Sequence, residues 1–274
     1  NENFINRTKG YNRIYFNNWA PCEFAQWKIH GVSPLEYEKN FDTIYTICPY
    51  TSEWINKMNL GREYKSIFYP FCTSLIPEKQ QKKYDVIYHG GIHGKEHIQC
   101  LKVMSNFNYR YCTMTKHINS LTSYHLPFAT NTNLNFKDKI NLVAQTKVSI
   151  CYNLVHVNPE HSQAIKQHNE YKNNEAFSTL GKWEVMPQFK TRMHEAAISR
   201  TINLIQRDDW NIAEMYYEPD KEFIYFTDEE DLGKKIRDIT LDWENYSEVV
   251  ENAYKKSLSY TTGNFVNKIK GEIK

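Results

Sequence analysis

The chain has no apolar run that approaches the roughly 20 residues a membrane-spanning helix needs. Its first residues, Asn1 to Phe4, have no resemblance to a signal peptide. It also has no internal repeat and no low-complexity tract. These absences lead us to expect a soluble cytoplasmic protein without a transmembrane segment.

An excess of charge of one sign is also missing. The 34 basic and 32 acidic residues leave a net charge of +2 and a sequence pI near 8.1. Composition therefore does not indicate a nucleic-acid-binding protein, because such proteins concentrate positive charge. Hydrophobic residues make up 41% and aromatic residues 15% of the chain, as in folded globular proteins.

The cysteines form no C-x-x-C pair, which is the usual sequence sign of a zinc or redox site. Four of them lie in or beside predicted strands. We therefore expect reduced cysteines that serve as small hydrophobic residues, and no disulfide framework. The cysteines are Cys22, Cys48, Cys72, Cys100, Cys112 and Cys151.

Short apolar segments alternate with amphipathic segments along most of the chain, which predicts an α/β fold with parallel sheets. The polar stretch 77–83 follows Ile76 and is the predicted linker. We expect a reduced first domain of about three strands over 1–78, a second domain over 79–260 and a C-terminal helix over 261–274. Asn135 is predicted to cap one helix, and Thr227 with Glu230 to form the capping box of another.

A glycine turn after a predicted strand is the first candidate site. Strand 85–89 runs into Gly90 and Gly91, and Gly94 with Lys95 opens the next helix. Glycines allow an anion to approach the backbone, and amides at a helix start attract phosphate. The spacing is neither a dinucleotide fingerprint nor a P-loop, so a tight turn without a ligand is an equal alternative on these residues alone.

A charged helix start is the second candidate. Lys190 and Arg192 place cations there, and Glu195 follows one turn later. Cations can neutralise a diphosphate, and a carboxylate can accept hydrogen bonds from both hydroxyls of a ribose. The alternative is a solvated helix end with an ordinary ion pair.

The order of several blocks resembles the donor half of GT-B glycosyltransferases of the group 1 type. The blocks are 192–197, the strand 202–206, Glu214, the turn and strand 218–226 and the acidic segment 228–232, preceded by the units 85–91 and 137–153. The resemblance covers roughly 84–260. It implies two Rossmann-like domains, with a nucleotide sugar held mainly by the second.

The resemblance also implies roles for individual residues. Glu195 matches the glutamate that binds the donor ribose, and Arg192 the basic residue beside it. Gly90 and Gly91 match the turn under the diphosphate. Further donor-side candidates are Asn153, Glu214, Lys190, His89 and His93.

Three features depart from the family pattern. Arg200 stands where the family has a glycine. Pro187 stands where the first glutamate of the retaining E-x7-E pair belongs, and Glu184 is out of register. The third departure is the short first domain, where the acceptor contacts and the catalytic base normally lie.

The first domain offers two candidates for a catalytic base, His30 and Glu23, since an imidazole or a carboxylate can take a proton from an acceptor hydroxyl. For both of them a structural role is the stronger alternative. The aromatic residues Trp19, Phe24 and Trp27 could stack on a sugar or a base, or belong to the core.

The resulting hypothesis is a glycosyltransferase that uses a nucleoside-diphosphate sugar as co-substrate and no cofactor. No D-x-D motif is evident, and GT-B enzymes generally need no metal held that way, so we expect no bound metal ion. The acceptor would be a surface glycan, a lipid-linked saccharide or a hydroxymethylated base in DNA. The alternative is a non-catalytic protein that binds nucleotide sugars.

Overall fold

The computed structural model of the chain describes residues 6–19, 23, 29–57, 61–92, 95–114, 130–156 and 185–272. Two compact units make up the chain. The first unit comprises 1–69, 154–189 and 267–274, and the second comprises 70–153 and 190–266. The predicted boundary at 78/79 thus lies inside the second unit, and 154–189, predicted in the second domain, groups with the first unit.

The described strands and helices alternate as the α/β prediction requires. The strands are β1 (Ile14–Asn17), β2 (Thr43–Thr46), β3 (Tyr64–Ser66), β4 (Tyr84–His89), β5 (Tyr109–Thr113), β6 (Thr130–Thr132), β7 (Thr146–Cys151), β8 (Leu154–His156), β9 (Val185–Pro187), β10 (Ile202–Gln206) and β11 (Ile224–Phe226). The α-helices are α1 (Pro34–Glu38), α2 (Pro49–Asn56), α3 (Lys95–Met104), α4 (Phe136–Ala144), α5 (Arg192–Ile198), α6 (Glu229–Leu241), α7 (Ser247–Ser257) and α8 (Thr262–Glu272).

The first unit contains a parallel sheet in the order β1-β2-β3 and an antiparallel ribbon of β8 and β9. Helix α1 starts at a serine–proline pair: Ser33 Oγ accepts a hydrogen bond from the Glu36 amide, and Pro34 takes the first helical position. This combination favours a helix start, because proline lacks the amide that would otherwise need a partner. Close to the other end of the chain, Glu272 of α8 accepts a hydrogen bond of 2.7 Å from the Tyr45 hydroxyl.

The second unit contains a six-stranded sheet in the order β11-β10-β7-β4-β5-β6, in which every adjacent pair is parallel. Side chains of β4 alternate between its two faces. Val86 and Tyr88 pack in a core cluster with residues of α3 and α6, whereas Ile87 packs with residues of α4 and α5. Both faces are thus covered by helices, which explains why the central strands β4 and β7 are mostly buried.

The two predicted helix caps have different outcomes. Asn135 caps α4 as predicted, since its side chain accepts a hydrogen bond of 2.9 Å from the Asp138 amide. The predicted capping box on Thr227 is wrong, because Asp228 is the N-cap of α6 and accepts from the Asp231 amide. The aspartate carboxylate is one of the strongest N-cap acceptors, so it takes the position one residue later.

The five described cysteines are all free thiols, and Cys22 lies outside the described residues. Four are buried as expected, but Cys72 is exposed, so it does not serve the core. Among the described residues, no helix has the length and apolar character needed to cross a membrane.

Candidate functional site

The carboxyl ends of the central strands of the second unit bring the predicted donor-side residues to one edge of the sheet. Strand β4 ends at His89, and Asn153 follows β7 by two residues. The loop that precedes α5 meets Asn153, and α5 begins at Arg192. In parallel α/β sheets, ligands bind at this edge.

Arg192 lies directly against the glycine turn. A Cβ atom built on Gly90 would lie 2.8 Å from Arg192 Cζ and 2.9 Å from Nη1, so only glycine leaves room for the guanidinium. Arg192 Cζ also lies 5.1 Å from the centre of the Tyr88 ring. Its Nη1 atom is buried without a hydrogen-bond partner among the described residues. This cation is therefore held in place with hydrogen-bonding capacity left for an anion.

The amides of the glycine turn are less available to a phosphate than the sequence indicated. The Gly90 amide donates a hydrogen bond of 3.0 Å to the Cys112 carbonyl, so it belongs to the sheet and is not available to a phosphate. Two tyrosine hydroxyls fix the carbonyls of the turn: Tyr111 donates to Gly90 O at 3.2 Å and Tyr88 to Gly91 O at 2.9 Å. The turn is thus a rigid base on which the Arg192 guanidinium rests.

Glu195 is buried and ion-paired, which the sequence did not predict. Lys139 Nζ donates a hydrogen bond of 2.8 Å to Glu195 Oε1, and it lies 2.8 Å from Oε2. His89 Nδ1 lies 3.1 Å from Oε2. Burial alone would raise the pKa of the carboxyl group, but contacts with His89 and Lys139 outweigh it and lower the pKa to about 2. Glu195 is therefore an anion at neutral pH.

His89 contacts the Glu195 carboxylate on one side and Ser149 on the other. Its ring is buried, and Nε2 lies 2.9 Å from Ser149 Oγ. Burial lowers the pKa of His89, and the charges of Lys139 and Arg192 act in the same direction, while Glu195 opposes them. A neutral imidazole between Ser149 and Glu195 orients the carboxylate. The side chain thus contacts the glutamate, and this buried position does not fit the direct donor contact predicted for His89 from the sequence.

Asn153 shapes the approach to α5. Its Oδ1 accepts a hydrogen bond of 3.1 Å from the Lys190 amide, and its Nδ2 lies 3.2 Å from Met193 Sδ. The side chain is 1% exposed. Asn153 therefore fixes the segment that carries Lys190 and Arg192, rather than presenting its amide to a ligand.

Lys139 is the site residue that sequence reasoning missed. It lies in α4, 56 residues before Glu195, and its side chain is half-buried. Nothing in the local sequence of α4 distinguishes Lys139 from the neighbouring Lys137. Only the packing of α4 beside α5 selects it.

No protein-family model and no curated protein sequence matches this chain. Solved structures of glycosyltransferases do match. TarM shares 10% identity with a TM-score of 0.59, over 96% of this chain and 50% of TarM. HepE from Anabaena, in complex with UDP-glucose, shares 12% identity with a TM-score of 0.63, over 95% of this chain and 71% of HepE. The pneumococcal O-GlcNAc transferase GtfA, in complex with UDP and GlcNAc, shares 8% identity with a TM-score of 0.60, over 99% of this chain and 54% of GtfA.

The chain has a GT-B fold. The predicted class, two Rossmann-like α/β domains of which the first is reduced, is confirmed. This GT-B chain spans about half the length of TarM and GtfA. Identities this low establish the fold and leave the activity to be argued from the site.

Glu214, another predicted donor-side residue of this GT-B chain, lies farther along the sheet. It is exposed on a short 3-10 helix and accepts a hydrogen bond of 3.0 Å from the hydroxyl of Tyr225 in the edge strand β11. Arg207 Cζ lies 4.2 Å from the centre of the Tyr225 ring. These contacts give Glu214 a structural role at the edge of the sheet.

The two base candidates belong to the first unit of the GT-B fold. Glu23 Oε2 accepts a hydrogen bond of 3.0 Å from Gln188 Nε2. His30 is exposed at the tip of a turn closed by hydrogen bonds between Ile29 and Val32. Its φ of 50° and the φ of 87° at Gly31 are those of a type I′ turn, which accounts for the glycine.

Two departures from the family pattern have a structural setting. Pro187 is the last residue of β9 and pairs with Leu154 of β8. Arg200 has a φ of 52°, in the left-handed region that glycine favours. Trp19 is half-buried, whereas His93, Phe24, Trp27 and Glu184 lie outside the described residues.

Proposed function

We propose that this chain binds a nucleoside-diphosphate sugar at the carboxyl edge of the six-stranded sheet and transfers the sugar to an acceptor hydroxyl. The proposal rests on one observation, that helix α5 carries an anionic side chain and a cationic side chain one turn apart. Glu195 is held ionised by Lys139, and one turn earlier Arg192 rests on Gly90 with Nη1 unpaired among the described residues. The carboxylate fits ribose hydroxyls and the guanidinium fits a diphosphate.

The comparisons support the class of donor. HepE is bound to UDP-glucose and GtfA to UDP and GlcNAc in the matched structures. A uridine diphosphate sugar is accordingly the first donor to test. The absence of a cofactor, the absence of a metal and the cytoplasmic location stay predictions.

The proposed reaction is a substitution at the anomeric carbon. The bond between that carbon and the diphosphate oxygen breaks, and the oxygen keeps the electron pair. The acceptor oxygen forms the new bond and loses its proton to a base, for which His30 and Glu23 are the candidates. Arg192, aided by Lys190, stabilises the charge that develops on the leaving diphosphate.

The acceptor stays open among a surface glycan, a lipid-linked saccharide and a hydroxymethylated DNA base. A net charge of +2 does not favour a polyanionic acceptor over a neutral one. Turnover with oligosaccharide, lipid-linked and modified DNA acceptors, each offered alone, distinguishes the three.

The central test is calorimetric titration of Glu195→Ala with UDP and UDP-glucose. Loss of charge-assisted hydrogen bonds to ribose is expected to weaken binding by about 10- to 100-fold. Glu195→Gln keeps the shape and two acceptor lone pairs, so it should fall between wild type and Glu195→Ala. The exposed Glu230, on α6, supplies the control Glu230→Gln, which should bind as wild type. Equal affinity in all four proteins would sink the assignment of Glu195.

A second function, a non-catalytic protein that binds nucleotide sugars, is favoured by one observation. Pro187 occupies the position where the resemblance places the first glutamate of the retaining pair, and it lies within a strand. Release of UDP from UDP-sugars, measured with and without acceptor extracts, separates the functions. Saturable binding without any release would establish the binding protein.

A further inference from the structure

A large cavity lies at the opposite, amino-terminal edge of the six-stranded sheet. Its volume is about 820 Å³, which is in the range of pockets that hold small organic ligands. Lys82 precedes β4, Lys147 lies at the start of β7 and Arg200 precedes β10, so all three line the cavity from the strand starts. This places it at the far end of the sheet from Glu195.

Lys82 places a half-buried amino group beside the cavity, without a carboxylate partner among the described residues. Its Nζ donates to the carbonyls of Ala144 (2.9 Å), Thr146 (2.9 Å) and Arg200 (2.6 Å). Burial, and then the charges of Arg200 and Lys79, lower the pKa of Lys82 to about 7. Neighbouring cations that disfavour a further proton mark a region of positive potential.

Arg200 has a left-handed backbone conformation that is unfavourable for most residues other than glycine. A φ of 52° costs a non-glycine residue roughly 1 kcal/mol or more. Its guanidinium nevertheless has two partners, with Cζ 3.5 Å from the Tyr254 ring centre and Nε 3.3 Å from Glu251 Oε1. A strained residue that holds a cation against a cavity points to a use for that cation.

The rest of the lining adds an aromatic wall and leaves a net positive charge. Four basic residues, Lys79, Lys82, Lys147 and Arg200, line the cavity with three carboxylates, Asp242, Glu244 and Glu251. Lys147 is engaged elsewhere, with Asp85 at 3.6 Å and the Thr240 carbonyl at 3.0 Å. The half-buried Trp243 ring lies 5.3 Å from Lys82 Nζ and presents a flat apolar surface.

We propose that this cavity is a second ligand site, which binds an organic phosphate monoester with its phosphate at Arg200 and Lys79 and its ring against Trp243. Lys82 Nζ already donates to three carbonyls, so Lys82 makes no direct contact with the phosphate. The site does not depend on the proposed transferase function.

The decisive variant is Arg200→Gly, tested by calorimetric titration with inorganic phosphate and with ribose 5-phosphate. Glycine suits the left-handed backbone, and a partly exposed ion pair contributes little stability, so the melting temperature should stay close to that of wild type. Affinity for both probes should fall about tenfold or more. Lys79→Gln should weaken the binding of both probes as well. The control Lys255→Gln, an exposed cation on α7 outside the cavity, should change neither.

Two further variants test which part of the ligand contacts Trp243 and at which edge of the sheet the phosphate binds. Trp243→Ala should weaken the binding of ribose 5-phosphate and leave the binding of inorganic phosphate unchanged, because only the ester has a ring to stack. Arg192→Met, at the donor edge, removes any binding of the probes to that edge, so binding that persists in Arg192→Met and is lost in Arg200→Gly assigns the probes to this cavity. Loss of phosphate binding in Arg192→Met with none in Arg200→Gly would place the anion at the donor edge and overturn the proposal. A wild-type dissociation constant above about 1 mM for both probes would also overturn it.

Discussion

Lys139 and Glu195 come from two different helices, α4 and α5, and form an ion pair with a hydrogen bond of 2.8 Å. The Glu195 side chain is 9% exposed and that of Lys139 is 24% exposed. His89 is the other charged or titratable contact of the carboxylate, and burial keeps it neutral. Lys139 is therefore the cation of this pair, and together with the contact from His89 it keeps Glu195 ionised.

Replacing this cation should destabilise the protein in a pH-dependent way. Lys139→Met leaves a buried carboxylate without its partner, which costs roughly 3 kcal/mol of unfolding free energy at neutral pH. The folded pKa of about 2 lies below the usual 4.5, so the stability Glu195 contributes is present above pH 4.5 and lost as pH falls towards 2. The deficit of Lys139→Met should therefore shrink over the same range.

Denaturant unfolding of wild type, Lys139→Met and Lys139→Arg at several pH values measures this effect. Arginine retains the charge and should recover much of the stability. In Lys139→Met/Glu195→Gln the loss should be smaller than the sum of the two single losses, because the buried charge is gone. A deficit that stays constant from neutral to acidic pH would mean that packing, and not charge, accounts for it.

The contact between Gly90 and Arg192 yields a second prediction. In Gly90→Ala the new methyl group meets the guanidinium, so Arg192 must leave its position over the turn. We expect a loss of about 1 to 3 kcal/mol of stability from overpacking. Affinity for UDP should fall about tenfold, because the displaced cation no longer faces the diphosphate.

Gly233→Ala is the matched control for this substitution. Gly233 lies inside α6, and a Cβ there would meet only Val103 Cγ1 at an ordinary 3.5 Å. Alanine in a helix interior is favoured over glycine by about 0.5 to 1 kcal/mol, so stability should rise slightly and UDP affinity should stay unchanged. Wild-type UDP affinity in Gly90→Ala would contradict the role given to Arg192.

Local patterning predicted the elements of the second unit well. The strand predicted at 202–206 is β10 with these bounds, and the strand predicted at 85–89 differs from β4 by one residue. Helix α3 begins at Lys95, where the sequence indicated a helix start. The two strands are mostly apolar and the helix is long enough to show its period, so their sequence patterns define them. The three-residue strands β6 in this unit and β8 and β9 in the first unit were missed, because strands so short carry little periodicity.

The candidate site could be predicted only in part, for a related reason. Gly90, Arg192 and Glu195 carry motif-level signals within a few residues of sequence. The pairing of Glu195 with Lys139 and the contact of Arg192 with Gly90 depend on how α4, α5 and β4 pack. Such contacts between distant segments arise from tertiary structure, which local spacing does not specify.

Glu38 in the first unit is expected to make stability fall with rising pH. The residue is 1% exposed, and its carboxyl group accepts hydrogen bonds from Asn17 Nδ2 (2.8 Å) and the Tyr64 hydroxyl (2.6 Å). Burial raises its pKa from 4.5 to about 7, against the opposing effects of Tyr64, Asn17 and Arg62. The folded state then binds the proton more tightly, so stability should drop by about 3 kcal/mol as pH rises from 4.5 to 7.

Glu38→Gln tests this directly, because the amide is neutral at every pH and similar in shape. The variant should lose the pH dependence between 4.5 and 7, and its unfolding free energy relative to wild type should increase across that interval. Thermal unfolding across this pH range, with the exposed Glu36→Gln of the same helix as control, provides the comparison. A wild-type slope in Glu38→Gln would assign the pH dependence to another group.

The base candidates can be separated from their structural roles by substitutions that keep the local geometry. His30→Asn retains the type I′ turn, because asparagine tolerates a φ near 50° and Asn-Gly is favoured in such turns. Glu23→Gln retains an acceptor for Gln188. Neither variant should lower the melting temperature.

If the chain transfers sugar as proposed, one of the two variants should lower kcat by about 100-fold at unchanged KM for the donor. The reason is that removal of a general base slows the proton transfer without affecting donor binding. Initial rates with a saturating acceptor decide between them. Wild-type kcat in both variants would place the base on another residue and leave His30 as a turn residue alone.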